Sequence, residues 1–250
     1  MRYGRVVSDT ASDLAQMPED WERALAVVAH PDDLEYGASS AIARWAEQGK
    51  SVVYLLVTRG EAGIDGIAPA ECGALREREQ IEAAAVVGVR EVEFLDHRDG
   101  VIEYGLPLRA DIATAIRRHR PELMITLNHR DTWGGTFRNS PDHRNVGLAV
   151  LDAVGDAANR WIFPERITED AQPWNGVRWV AVAGSAEASH AVEITDTLDK
   201  GVASLEAHRA YLDGLSGDMG DTGFLRTVAE DTARRFGGRL ATAFELISFS

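Results

Sequence analysis

Cysteine is almost absent from this sequence: Cys72 is the only one among 250 residues. A lone cysteine excludes an intrachain disulfide and a thiolate metal cluster, so any metal must be held by His, Asp or Glu. Positive charge is also scarce. There are 26 Lys and Arg against 40 Asp and Glu, a formal net charge of -14, and a field of that sign repels nucleic acid and anionic membranes. No stretch reaches the ~20 uninterrupted apolar residues that a transmembrane helix needs. The opening segment, MRYGRVVSDTASDLAQMPEDW, lacks the continuous apolar run of a signal peptide. Missing, too, is a Gly-x-Gly-x-x-Gly run directly after the first apolar segment, which sets aside a nucleotide-binding Rossmann protein. These absences lead us to expect a cytoplasmic protein without nucleic acid or a membrane span. They are compatible with a homo-oligomer.

What is present is an ordinary soluble composition, 45% apolar and 26% charged. ALAVVAH (24–30) and SVVYLLVT (51–58) are short apolar runs expected to be buried strands, as are EVEFL (91–95), ELMITL (122–127) and GVRWVAVAG (176–184). Helices are expected over 35–48, 74–89, 106–120, 141–155 and 198–215, with a less regular one over 221–237. A glycine-rich loop, RGEAGIDGIAPAECG, should join the second strand to the second helix, and ATAFELISFS (241–250) should be an edge strand. Strands alternating with helices argue for a mostly parallel, Rossmann-like α/β sheet covered on both faces. With no repeat or linker in view, residues 1–250 read as one domain, with 1–22 an N-terminal arm packed on it.

The first strand stops at His-Pro-Asp-Asp, and in an open parallel sheet ligands sit beyond the carboxyl ends of the strands. His30 and Asp33, three positions apart, can share an ion on one side of a turn, while Asp32 projects beside it. That is where a general base for a metal-activated water is wanted. The plainer alternative is that Asp32 or Asp33 caps the helix beginning near Leu34 and that His30 is a satisfied core histidine. RNSPDHRNVG (138–147) follows the fourth strand and puts His143 near a helix start on the same sheet edge. His, Asp and His with an open position is the layout of a catalytic zinc site.

AHPDDLEYG and SPDHRNVG, in order with TRGEAG, LREREQIEAAAVVGV, FLDHRDG and LDKGVASLEAH, resemble the LmbE-like (PIG-L) zinc deacetylases. That family includes the glucosaminyl-phosphatidylinositol, mycothiol-pathway and bacillithiol-pathway de-N-acetylases. The resemblance runs from about residue 24 to residue 212. It implies one Zn2+ per chain on His30, Asp33 and His143, Asp32 as general base, and Arg76, Asp99 and Glu61 as contacts to substrate. It also implies removal of an N-acetyl or other N-acyl group from an amino sugar or its conjugate. An amidase for larger thiol-conjugate or natural-product amides, or a binding protein with degraded catalysis, are the alternatives.

One position departs from the family's His-Pro-Asp-His. Ser140 stands where the first histidine would polarise the carbonyl or protonate the leaving amine. A serine can donate a hydrogen bond but carries no positive charge, and losing one preorganised donor typically costs about 2.7–4 kcal/mol. His129, in the loop NHRDTWGGTFRNS, is the nearest replacement in sequence; His97, His190 and His208 are others. The same loop carries Trp133 and Phe137, which would suit either a substrate-facing lid or a surface loop with an anchoring Trp.

Overall fold

The computed structural model describes residues 13–215 and 222–249. In chain order the strands are Ala15–Gln16 (β1), Arg23–Val28 (β2), Ser51–Leu56 (β3), Glu91–Phe94 (β4), Leu123–Leu127 (β5), Trp179–Ala183 (β6), His190–Glu193 (β7) and Ala241–Ser248 (β8). The helices are Asp33–Gly37 (α1), Ser39–Glu47 (α2), Pro69–Val86 (α3), Leu106–His119 (α4), Pro141–Ala158 (α5), Leu198–Glu206 (α6), Arg209–Gly214 (α7) and Gly223–Ala233 (α8).

Strand periodicity dictates two apolar layers. In β2, Leu25 and Val27 join one buried cluster while Ala24, Ala26 and Val28 join the other; in β3, Val53 and Leu55 separate from Val52, Tyr54 and Leu56 in the same way. Strands that are apolar on both faces need helices on both sides. α4 and α5 cover the first layer, and α1, α2, α6 and α8 cover the second.

One sheet of eight strands results, in the order β1-β7-β8-β6-β5-β2-β3-β4. β6, β5, β2, β3 and β4 are mutually parallel, and β8 is antiparallel to both of its neighbours. The chain steps outward from β2 to β3 and β4, then returns to the other side of β2 at β5. That reversal opens a crevice beyond the carboxyl ends of β2 and β5, the place where such sheets bind ligands. Among the described residues no helix is long and apolar enough to cross a membrane.

Several expected boundaries shift. The segment 241–250 is no edge strand: β8 lies between β6 and β7 and pairs with both. β1 and β7 emerge where a polar segment offers little apolar pattern, because each gains its ladder from neighbours. The helix expected over 35–48 breaks at Ala38, and the one over 198–215 breaks at His208. α3 starts at Pro69, inside the expected loop, since proline suits a first helical turn. Of the N-terminal arm, residues 1–12 lie outside the described residues; Met17 and Trp21 are buried. Position 221 of the weaker helix also lies outside, and α8 spans Gly223–Ala233.

Candidate active site

Beyond β2 the chain turns at Asp32, which takes φ 89° and ψ -22°. Left-handed backbone is rare for a residue with a side chain and costs of order 1–3 kcal/mol unless its surroundings hold it. Here the surroundings are specific. The Asp32 N–H donates to Gln80 Oε1 at 3.0 Å, and Gln80 Nε2 donates to Glu35 Oε1 at 3.1 Å, with Gln80 fully buried. The result is that two consecutive acids diverge. Asp32 sits at the N-cap position of α1 yet makes no side-chain cap bond, so the capping alternative fails for it. Its Oδ1 instead accepts from Arg76 Nη2 at 2.9 Å.

Asp33 turns the other way. Its Oδ2 accepts from the N–H groups of Ala29 and His30, at 3.0 and 2.9 Å. Its Oδ1 lies 3.0 Å from His143 Nε2, and His30 Nδ1 is 3.6 Å from Oδ2. The two imidazole rings meet edge to face, with centroids 5.1 Å apart. One donor atom from each of His30, Asp33 and His143 lies within 4.8 Å of the others, the spacing of three ligands around one ion. Nitrogen and carboxylate donors without thiolate suit zinc or a similar first-row divalent ion.

The histidines are oriented from behind. Asn139 Nδ2 donates to the carbonyls of Asn128 and Arg130, at 2.6 and 3.0 Å, which fixes the amide so that Oδ1 faces His143 Nδ1 at 2.9 Å. Nδ1 therefore carries the proton and Nε2 keeps its lone pair for the shared position. On His30 the outer nitrogen is Nε2, 3.1 Å from Asp99 Oδ1 and 3.3 Å from Asp142 Oδ2. His30, Asp99 and Asp142 also cluster closely enough to hold an ion. Asp142, however, already accepts from the N–H groups of Gly100 and Ile102, at 2.7 and 3.2 Å. Its place is that of an orienting carboxylate.

Charge follows from this crowding. Burial pushes the Asp33 carboxyl up, but His143 and His30 outweigh it and hold the group well below the usual carboxylate range. Burial opposes protonation of His30, yet Asp33, Asp142 and Asp99 together raise its pKa well above that of an ordinary histidine. Asp32 is lifted by burial; Arg76 opposes, Asp33 adds, and the pKa stands at about 6. Adjacent carboxyls driven in opposite directions are a signature of divided roles.

The remaining sequence candidates fall into two groups. Arg76 is not an exposed partner of Glu77 or Glu79: it is 2% exposed and also donates to the carbonyls of Gly60 and Pro31, at 3.1 and 2.6 Å. Gly60 and Gly63 are glycines for that reason, since a Cβ at either would overlap the guanidinium. Asp99 engages His30, and its own N–H donates to Glu61 Oε1 at 2.8 Å. Ser140 caps α5, its Oγ accepting from His143 N–H at 3.1 Å. His129 packs against Gly147, one turn beyond His143, with Nδ1 buried and without a partner among the described residues. Of the other histidines, His97 pairs with Asp111 and His190 is on β7, while His208 is fully buried 3.5 Å from Glu35, close enough to Asp32 to help lower its pKa. The Trp133 and His143 rings meet edge to face with centroids 5.5 Å apart, which anchors the loop. Asn139, Asp142, Gln80 and Glu35 escaped the sequence reading. All four lie inside quoted stretches, Asn139 and Asp142 in RNSPDHRNVG, Glu35 in AHPDDLEYG and Gln80 in LREREQIEAAAVVGV.

Diacetylchitobiose deacetylase of Thermococcus kodakarensis is 26% identical over 230 residues, covering 91% of this chain and 84% of its own. The structure of N,N'-diacetylchitobiose deacetylase from Pyrococcus horikoshii superposes with a TM-score of 0.83 at 23% identity, over 92% of this chain and 85% of that one. The 4-carboxy-2-hydroxymuconate hydratase GalB of Pseudomonas putida shares the fold at a TM-score of 0.70 and 22% identity, over 91% and 95% of the two chains. The fold thus serves more than one chemistry. The family model described as PIG-L, GlcNAc-PI de-N-acetylase, matches residues 25–154, more than half of the sequence, and the chain belongs to that family.

Proposed function

We propose that this protein is a zinc-dependent hydrolase that removes an N-acetyl or other short N-acyl group from an amino sugar or amino-sugar conjugate, with one zinc per chain. The observation that carries the reading is the divergence of Asp32 and Asp33: one joins two histidines around a common point, and the other stands beside it against Arg76. The names of the relatives, deacetylases of diacetylchitobiose and of an N-acetylglucosamine–inositol conjugate, support the substrate class.

His30, Asp33 and His143 would hold the ion, with Asn139, Asp142 and Asp99 fixing the two rings. When bound, a zinc ion supplies a Lewis acid that acidifies water and polarises an amide carbonyl. Asp32 takes the proton of the attacking water, and its partly raised pKa suits it to pass that proton on to the departing amine nitrogen. Arg76 keeps the Asp32 carboxylate in place through that exchange. The Ser140 cap uses only the oxygen of its hydroxyl, which leaves one proton for the developing oxyanion. His129, with its unpartnered Nδ1, is the second candidate for that task. The lone buried thiol Cys72 suits a cytoplasmic setting.

Paired variants test the division of labour. Asp32→Asn retains zinc and loses turnover; His143→Ala loses zinc. A fully active Asp32→Asn protein would remove Asp32 from the base role, and unchanged metal content in His143→Ala would reject that ligand.

A further inference from the structure

One side of the site is closed by a residue that neither motif nor resemblance marks. α7 is six residues long and is tied to α3 at two points one helical turn apart. The Ala210 N–H donates to Glu79 Oε1 at 2.6 Å, and the Tyr211 ring lies over the Arg76 guanidinium, with Cζ 4.1 Å from the ring centroid. Arg76 in turn reaches Asp32 at 2.9 Å. Arg76 therefore touches both the Tyr211 ring and the Asp32 carboxylate.

We infer that Tyr211 is a positioning residue for Asp32: its ring pins the Arg76 guanidinium, and its phenol donates a hydrogen bond to the Asp32 carboxylate. Burial, with the nearby Asp32 charge and hydrogen bond, pushes ionisation of this phenol well above its usual range, so it stays a neutral donor. The proton taken from water goes to Asp32 and then to the amine nitrogen, and Tyr211 keeps its own throughout. A cation held over an aromatic face in a desolvated site is attracted to the ring. That holds the guanidinium that Asp32 accepts from. Asp32 is then held at three points: its backbone N–H by Gln80, one carboxylate oxygen by Arg76, and the carboxylate again by the phenol.

The inference rests on Asp32 being the base, and the test separates the two claims. Tyr211→Phe keeps the ring and deletes the hydroxyl; Tyr211→Leu removes both. The substrate is whichever N-acetylated sugar the wild type turns over fastest, from a set that includes N-acetylglucosamine and N,N'-diacetylchitobiose. Tyr211→Phe should lower kcat by about tenfold or more, the equivalent of one hydrogen bond to a charged group. KM, zinc content and thermal midpoint should stay at wild-type values, and Tyr211→Leu should lower kcat further. A Phe variant with kcat within about twofold of wild type would overturn the inference while leaving Asp32 as base, provided Asp32→Asn is inactive. Loss of zinc or of folding in the Phe variant would assign the hydroxyl a structural role and overturn it equally. Activity in Asp32→Asn would sink the underlying reading instead.

Discussion

Replacing Asp142 by Asn changes one atom type and almost no volume, yet it sets a conflict that the site cannot relieve. Asp142 is buried, 2% exposed at the side chain, and both oxygens are committed. Oδ1 accepts from Ile102 N–H at 3.2 Å; Oδ2 accepts from Gly100 N–H at 2.7 Å and faces His30 Nε2 at 3.3 Å. An amide has one acceptor oxygen, so either orientation points an NH2 group at a backbone N–H. One buried donor is left unpaired, at about 1–3 kcal/mol. If the NH2 takes the Oδ2 side, it also pushes the His30 proton toward Nδ1, where the lone pair is needed for metal. Asp99, 3.1 Å from the same Nε2, resists that tautomer change. Asp142→Asn should therefore weaken zinc binding by about tenfold, the lower end of what an orienting carboxylate contributes, and Asp142→Asn with Asp99→Asn by about a hundredfold. Competition against a chelating indicator at fixed pH measures both. A double variant that binds zinc within about threefold of wild type would refute the idea that these carboxylates set the His30 tautomer.

Three further outcomes follow from the same geometry. The acid limb of kcat/KM should have its midpoint between the ordinary carboxylate value, about 4, and about pH 6: Asp32 must be ionised to act, burial lifts its pKa to about 6, and a bound cation draws it only part of the way back. A profile that stays flat into the ordinary carboxylate range, about 4, would contradict that assignment. Gln80→Leu orphans the Asp32 N–H, at about 1–3 kcal/mol, and leaves Glu35 Oε1 only the 3.4 Å bond from Ser204 Oγ; urea unfolding should show the loss together with a reduced kcat. Stability within about 0.5 kcal/mol of wild type would refute the strut. Ser140→Ala should cost about 1 kcal/mol for the lost α5 cap and should also lower kcat; lost stability with unchanged kcat would confine Ser140 to capping.

The grouping of His30, Asp33 and His143 was legible because strand order and strand ends are written in apolar runs. Once ALAVVAH and ELMITL are adjacent parallel strands, His30 and His143 share an edge, as observed. What could not be read is the layer behind them. Arg76 stands among charges on a helix that looks exposed, and only the absence of a Cβ at Gly60 and Gly63 lets the guanidinium pass inward. Gln80 and Tyr211 matter through packing between α3, α7 and the Asp32 turn, a relation with no sequence period. β7 was missed for a similar reason: four residues with two buried carry little pattern, and pairing to β1 and β8 makes the strand. At α1 and α2 the helical spacing hid the break at Ala38, which leaves the helical region at φ -143° without a proline to announce it.

The most direct test of the central claim is release of acetate and free amine from a set of N-acetylated amino sugars and their conjugates, followed in chelator-stripped and zinc-restored protein. The account predicts equal molar amounts of the two products, lost on stripping and recovered with one equivalent of zinc per chain. Full activity after complete metal removal would contradict the mechanism. So would protein shown to hold zinc on His30, Asp33 and His143 that releases no amine from any member of the set.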